Sequence, residues 1–257
     1  MSVSADLFYS TIRVECTHDD GISTGTGFFF LYEKDANDIH TIITNRHVVE
    51  GSKQTRLIFH RKNNESDIFV TDTVSFNSDL WCFHPDNLDL AILKLTSIGT
   101  HINRIYELTH KPLYLRCFSE SLIPNEEKIK NLNYIEDILV IGYPSGLYDP
   151  ANNTPIAKRG ITATPIQLDY NGKPEFLIDA AIYPGSSGSP VAIYNQGSYL
   201  ENNTLQVGSR LLLIGINYGT YLSNTFKNGA AQNEIQVANN LGICIKASRL
   251  LDFKPLL

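Results

Sequence analysis

Short runs of Val, Ile, Tyr, Phe and Thr, each bounded by Gly, Asn, Asp or Pro, recur along almost the whole chain and constrain its fold more than any other feature. β-branched and aromatic residues suit a pleated, half-buried surface, and the bounding residues favour turns. One set of runs predicts strands over Phe8–Cys16, Thr26–Tyr32, Thr41–Asn45, Thr55–His60, Ile68–Val74 and Leu88–Leu95. A second set predicts Asp137–Tyr143, Ile156–Thr164, Glu175–Ala181, Pro190–Tyr194, Leu205–Asn217 and Leu241–Lys246. Alternation is clear where Leu57 and Phe59 interleave with Arg56, Ile58 and His60. Helical periodicity is confined to Ser119–Asn131 and a short tail near Ala247–Phe253. Many short strands with frequent turns imply an all-β barrel or sandwich, and the polar stretch Ser119–Asn133 divides the two sets.

A chain of 257 residues with 42% hydrophobic content can bury a large core, as one domain or as two packed barrels. With 21 basic and 27 acidic residues the net charge is −6, and no long basic run exists to track a phosphate backbone; nucleic acid is not an expected partner. No segment approaches the roughly 18 apolar residues of a membrane span, and the start lacks the basic and apolar regions of a secretory signal. The four cysteines form no Cys-x-x-Cys pair, which argues against a zinc knot or redox motif, so no metal or cofactor is expected. Cys16, Cys82 and Cys244 lie in apolar, strand-like contexts and read as buried free thiols, consistent with a reducing, cytoplasmic compartment.

The stretch Asp179-Ala180-Ala181-Ile182-Tyr183-Pro184-Gly185-Ser186-Ser187-Gly188-Ser189 places serines between glycines. Glycine permits sharp, positive-φ turns that aim several N–H groups at one point, as an oxyanion site requires. A serine hydroxyl is a weak nucleophile without a base, usually a histidine oriented by a carboxylate. Both are available upstream, in Thr44-Asn45-Arg46-His47-Val48-Val49 and in Asp89-Leu90-Ala91-Ile92-Leu93-Lys94-Leu95. Read singly, each segment is also an ordinary turn, a strand end or a strand-initiating aspartate.

Together these segments resemble the trypsin-like (chymotrypsin-fold) serine peptidases, with the closest likeness to HtrA-like and glutamyl-endopeptidase-like bacterial members. The order His47, Asp89, Ser187 matches that family, as do Gly25-Thr26-Gly27-Phe28, Ile141-Gly142-Tyr143-Pro144, Ile214-Gly215-Ile216 and Gly242-Ile243-Cys244-Ile245. The resemblance covers almost the whole chain. It implies two six-stranded antiparallel β-barrels with a cleft between them and a short C-terminal helix. An N-terminal barrel over residues 1–118 would carry His47 and Asp89, and residues 119–136 would link it to the second. A C-terminal barrel over 137–257 would carry Ser187, the oxyanion hole and the substrate pocket.

By the same resemblance Ser187 is the nucleophile, His47 the general base and Asp89 the orienting carboxylate. The backbone N–H groups of Gly185 and Ser187 form the oxyanion hole. Arg46 departs from the small residue usual before the histidine; its cation either disfavours imidazole protonation or points to solvent. Ser186 stands where zymogen-type relatives have an aspartate, so activation by N-terminal cleavage is not expected. Ala181 occupies the base of the specificity pocket, where a carboxylate would be needed to accept a buried Lys or Arg. Ile182 and Asn217 replace the polar residues of glutamyl endopeptidases, leaving a small or medium apolar P1 residue with one polar contact from Asn217. Tyr218 and Gly219 resemble the edge on which an extended substrate adds as a strand. The loops Ser145–Arg159 and Tyr221–Asn240 match loops that remodel during activation in HtrA-like enzymes, and no PDZ module follows the second barrel. The expectation is a serine endopeptidase acting on a protein or peptide, restrained by loop ordering or by a regulatory protein partner. The alternative is a catalytically silent trypsin-like domain that binds peptides or serves as a scaffold. An esterase is disfavoured because the α/β pattern is absent.

Overall fold

The computed structural model describes residues 2–62, 69–201, 204–226 and 234–257. Its first half contains β1 (Thr11–Thr17), β2 (Ile22–Lys34), β3 (Asn37–Thr44), β4 (Gln54–Lys62), β5 (Phe69–Asn77), β6 (Cys82–Phe83), β7 (Ala91–Lys94), β8 (Leu113–Tyr114) and β9 (Phe118–Ser119). These strands form one sheet in the order β5-β4-β1-β2-β3-β7-β6, with β8 beside β4 and β9 beside β2. The second half contains β10 (Asp137–Gly142), β11 (Ile156–Thr162), β12 (Glu175–Asp179), β13 (Pro190–Asn195), β14 (Ser198–Glu201), β15 (Thr204–Val207), β16 (Arg210–Phe226) and β17 (Glu234–Lys246). Six of them close into an antiparallel barrel, β10-β11-β12-β17-β16-β13, while β14 and β15 pair as a separate hairpin. The helices are α1 (Val3–Phe8), α2 (Arg46–Val49), α3 (Gly99–Thr109) and α4 (Glu126–Asn131).

Period-2 alternation assigns each side chain to one of three apolar layers. Ile12, Val14, Leu57, Phe59 and Val74 fill the first half, and Ile138, Val140, Ile178, Val191, Ile193 and Leu212 fill the barrel. A third layer joins the halves. Phe28, Phe30, Tyr32, Ile43 and Ile92 meet Ile141, Ala192, Leu213, Ile216 and Ile245. Strand β2 can serve two layers because Phe28, Phe29 and Phe30 are consecutive: Phe29 faces the first core while its neighbours face the interface. The C-terminal segment Ala247–Leu256 forms 3₁₀ turns that press Ala247, Leu250 and Phe253 into the same interface, and the Tyr32 hydroxyl donates to the Leu250 carbonyl at 2.8 Å.

The structure departs from the sequence reading in several places. Cys82 is exposed, because β6 is a two-residue edge strand with both side chains outward; Cys16 and Cys244 are buried as expected, and all four cysteines are free. The expected strand Leu205–Asn217 is two strands, broken where Gly208 takes φ +147°. Residues expected as a polar loop over Tyr221–Asn240 continue β16 to Phe226 and begin β17 at Glu234, paired from Leu222↔Ala238 to Phe226↔Glu234; the middle of that stretch lies outside the described residues, as does Ile68. The helices α1 and α3 were not anticipated. Helix α3 packs Ile102 and Ile105 on the first core, and the fully buried Arg61 guanidinium donates to the carbonyls of Lys111 at 2.7 Å and Ile102 at 3.3 Å.

One buried ion pair fixes the edge of the barrel. Arg210 donates to Glu136 at 2.6 Å and to Asn195 Oδ1 at 3.0 Å, its side chain 3% exposed and that of Glu136 4%. Removing one charge strands the other in low dielectric, at a cost of about 3–5 kcal/mol. Glu136→Gln should therefore lower Tm by about 10 °C in calorimetry, with little change in surface charge behaviour. A shift under about 2 °C would show that the pair is structurally idle.

Candidate active site

The pairing of β3 with β7 brings His47 to Asp89. Strand β3 ends at Thr44, the buried Asn45 follows, and α2 starts at once, because Val48 and Val49 turn inward to the core. Asn45 Nδ2 donates to the Asp89 carbonyl at 2.7 Å, which ties the two segments together. The Asp89 carboxylate then takes two bonds from one residue. The His47 backbone N–H reaches Oδ1 at 2.9 Å, and Nδ1 is 2.6 Å from Oδ2. An ionised carboxylate only accepts, so Nδ1 carries the proton and Nε2 is left as the basic nitrogen. Arg46 points away into a network of its own, pairing with Glu50, bonding Asn87 and covering the Phe83 ring with its guanidinium carbon 4.7 Å from the centroid. Beside the histidine, the Val48 methyls occupy the space a side chain at Gly25 would need, 2.6 Å from a Cβ built there.

Two consecutive turns shape the serine segment. The Ser186 N–H donates to the Tyr183 carbonyl at 3.0 Å across Pro184 and Gly185, with Gly185 at φ +84°. The Ser189 N–H donates to the Ser186 carbonyl at 3.0 Å across Ser187 and Gly188, with Gly188 at φ +86°. A positive φ at the third position alone defines each as type II, which explains both glycines. Gly188 is required twice over: a Cβ there would lie 2.0 Å from the Thr26 carbonyl oxygen. Pro184 accepts from the Ser145 N–H, and a trans peptide sets its own N–H opposite its carbonyl. The Gly185 N–H therefore faces away from Ser145. Among the described residues neither it nor the Ser187 N–H has a protein acceptor.

The turn docks on the first half of the chain. The Thr26 N–H donates to the Ser187 carbonyl at 2.9 Å, and the Thr26 carbonyl accepts from Thr44 Oγ1 at 2.7 Å, three residues before His47. Ser187 is thereby brought to the His47 side of the interface, although its hydroxyl makes no hydrogen bond to the imidazole here. Such contacts often tighten only when substrate is bound. Ser186 and Ser189 are buried, 3% and 0% exposed, whereas Ser187 is partly open.

Of the expected pocket residues, Ala181 is partly buried and Ile182 is 2% exposed. Asn217 is wholly buried, and its Nδ2 donates to the Ser186 carbonyl at 3.2 Å, so half of its amide braces the serine turn. Its Oδ1 has no partner among the described residues and lies with Ile178 and Ile182 against Gly242, each within 2.9 Å of a Cβ built there. Backbone bonds from Gly188 N–H to the Asn217 carbonyl (2.8 Å) and from Asn217 N–H to the Ser189 carbonyl (2.9 Å) complete the brace. Strand β13 covers β16 only over Arg210–Ile216, so among the described residues Tyr218 and Gly219 have no strand partner on that side. The Tyr218 hydroxyl donates to Glu175 at 2.9 Å; burial, with that carboxylate and the charge of Asp89, pushes the phenol well above its usual range. Lys158 donates to the Ala181 carbonyl with its ammonium 4.4 Å from the Tyr183 ring centroid, and burial lowers its pKa.

The cluster His84, Asp86 and Asp252 has the residue types of a metal site. Its geometry is that of a closed hydrogen-bond network instead. His84 Nε2 bonds the Arg249 carbonyl at 3.0 Å and Asp252 at 3.2 Å, Nδ1 accepts from the Asp86 N–H at 3.1 Å, and the Arg249 guanidinium bridges both carboxylates. Sequence reasoning missed Thr26, Thr44 and Gly242 as parts of the site. All three lay in segments it had singled out, without an assigned duty.

The family model for the trypsin-like peptidase domain matches residues 25–199. Among solved structures, the HtrA-type protease AlgW with a tripeptide is 15% identical, with 98% of this chain and 60% of that chain covered at a TM-score of 0.51. A serine endoprotease from Yersinia pestis is 17% identical over 98% of this chain and 64% of its own, at 0.50. The thermostable serine protease AL20 from an extremophilic microorganism is 12% identical over 97% of both chains, also at 0.50. The chain thus spans less than two thirds of the two former proteins. No curated protein matches it. No helix among the described residues is long and apolar enough to cross a membrane. With its mostly β architecture and a domain match over most of its length, the chain belongs to the trypsin-like peptidase family.

Proposed function

We propose that this protein cleaves peptide bonds with Ser187 as nucleophile, His47 as general base and Asp89 as its orienting carboxylate. The observation that carries the reading is the double grip of Asp89 on His47, which commits the ring proton to Nδ1 and leaves Nε2 basic. In the first step Ser187 Oγ attacks the substrate carbonyl while its proton passes to Nε2. Asp89 stabilises the imidazolium. The N–H groups of Gly185 and Ser187, which have no protein acceptor among the described residues, are free to receive the developing oxyanion. The imidazolium then protonates the leaving amine, and water attacks the acyl-enzyme by the reverse route. A substrate strand adds along Tyr218 and Gly219, gaining main-chain bonds that do not depend on its sequence.

A small or medium apolar P1 side chain is the best fit. Ala181 offers no charge to a basic residue, and Ile182 beside it is apolar and buried. The unpartnered Asn217 Oδ1 supplies one buried acceptor. Restraint would come from a partner protein or from ordering of the loop after Pro144, whose Ser145 N–H holds the Pro184 carbonyl beside the oxyanion site. The free thiols suit a reducing, cytoplasmic setting. Incubation with a peptide library, with fragments read by mass spectrometry, tests the assignment. Cleavage after Ala or Val should exceed cleavage after Lys, Arg, Glu or Phe by about tenfold or more. A dominant charged P1 would overturn the pocket reading, and no cleavage by wild-type protein would favour a peptide-binding role.

A further inference from the structure

Thr26 is the residue on which the serine turn of the second half rests. It is fully buried, and each of its polar atoms is used. Its N–H donates to the Ser187 carbonyl at 2.9 Å, and its carbonyl accepts from Thr44 Oγ1 at 2.7 Å. Its hydroxyl donates to the Gly185 carbonyl at 2.9 Å while accepting from the Tyr143 N–H at 3.0 Å. Packing leaves it no alternative position. A Cβ at Gly142 would lie 2.6 Å from Thr26 Oγ1, and one at Gly188 would lie 2.0 Å from its carbonyl oxygen.

We propose that the Thr26 hydroxyl is a positioning residue for the oxyanion site, fixing the Gly185–Ser186 peptide so that the N–H groups of Gly185 and Ser187 stay convergent. The inference rests on the reading of Ser187 as nucleophile. Its logic is conformational. Gly185, at φ +84°, lacks the side chain that would hold other residues in one well, so its two flanking peptides must be held from outside. The preceding peptide is held by Ser145 through the Pro184 carbonyl. The following peptide is held from both sides: its Ser186 N–H donates to the Tyr183 carbonyl at 3.0 Å, and its Gly185 carbonyl accepts from the Thr26 hydroxyl, the one bond that oxygen takes among the described residues. Only a group that donates and accepts at once satisfies both the Gly185 carbonyl and the Tyr143 N–H from the buried Thr26 position. Threonine and serine can do so, while valine and alanine leave both unpaired.

The test compares Thr26→Val, Thr26→Ala and Thr26→Ser on a peptide substrate, together with inhibition by a peptide boronate that forms a tetrahedral adduct on serine. All are assayed at a temperature where circular dichroism shows each variant folded. In the Val and Ala variants kcat should fall by about 10–100-fold with KM within about threefold, and boronate affinity should fall in parallel. The Ser variant should stay within about threefold of wild type. If Val does not fold, the contrast between Ala and Ser decides the matter. A role in stability alone would lower Tm and leave kcat and boronate affinity unchanged, which overturns the proposal. So does a Ser variant no better than Ala, or a loss confined to KM. A wild type that cleaves nothing and binds no boronate removes the nucleophile assignment, and this inference with it.

Discussion

Replacing Ser187 with Ala should abolish labelling by a fluorophosphonate probe and lower kcat by about 10⁶-fold, with Tm within about 1 °C of wild type. The two halves of this expectation have separate causes. Ser187 Oγ makes no hydrogen bond among the described residues, and its residue sits at the second position of a type II turn that Ala adopts equally well. Chemically, the acyl-enzyme route disappears, and only binding and the oxyanion donors remain to promote attack by water. Ser186 and Ser189 cannot substitute. Both are buried, and the Ser186 carbonyl and N–H are already committed to the turn and to Asn217. Labelling is read by intact-mass spectrometry, and turnover by a fluorogenic peptide. A Ser187→Ala protein that still takes up the probe would place the nucleophile elsewhere and end the proposed mechanism.

How much of this was legible in the sequence follows from which forces are local. The strands of both halves could be read because inward residues alternate, as in β4, where Leu57 and Phe59 are buried and Arg56 is exposed. The far end of hairpin β16–β17 could not, although its barrel portions were read as strands. Beyond Thr220 its apolar residues Leu222, Phe226, Ile235 and Val237 are set among Ser, Asn, Thr and Gln, and this polar surrounding read as loop. Helix α3 did leave a signal in Ile98, Ile102 and Ile105, spaced four and three residues apart on one face, but the turn-forming Gly99 and β-branched neighbours obscured it. The His47–Asp89 contact was anticipated through the two motifs that carry it. The duties of Thr26, Thr44 and Asn217 were not, because each is a contact between distant segments that no local pattern encodes. Asn217 is the sharpest case. As a sequence position it read as a substrate contact, whereas the folded chain spends its Nδ2 on the Ser186 carbonyl.

Asp89→Asn should lower kcat by about 10⁴-fold near neutral pH while leaving KM and Tm nearly unchanged. The reason lies in the two bonds the carboxylate accepts. The His47 backbone N–H, 2.9 Å from Oδ1, is a fixed donor that cannot face an amide NH₂. In the variant the amide oxygen must therefore stay on the backbone side, which turns the NH₂ toward His47 Nδ1. To accept that donor Nδ1 must lose its proton, so the neutral ring carries hydrogen on Nε2, the atom that has to receive the Ser187 proton. The imidazole is held in place in the wrong tautomer. Asp89→Ala should be less damaging to the tautomer and more damaging to orientation, since it removes both bonds and leaves the ring free to take either form. Nitrogen-15 NMR of the His47 ring separates these cases, with the protonated nitrogen moving from Nδ1 to Nε2 only in the Asn variant. Should Asp89→Asn retain kcat within about tenfold of wild type, Asp89 does not set the tautomer and another group must keep Nε2 basic.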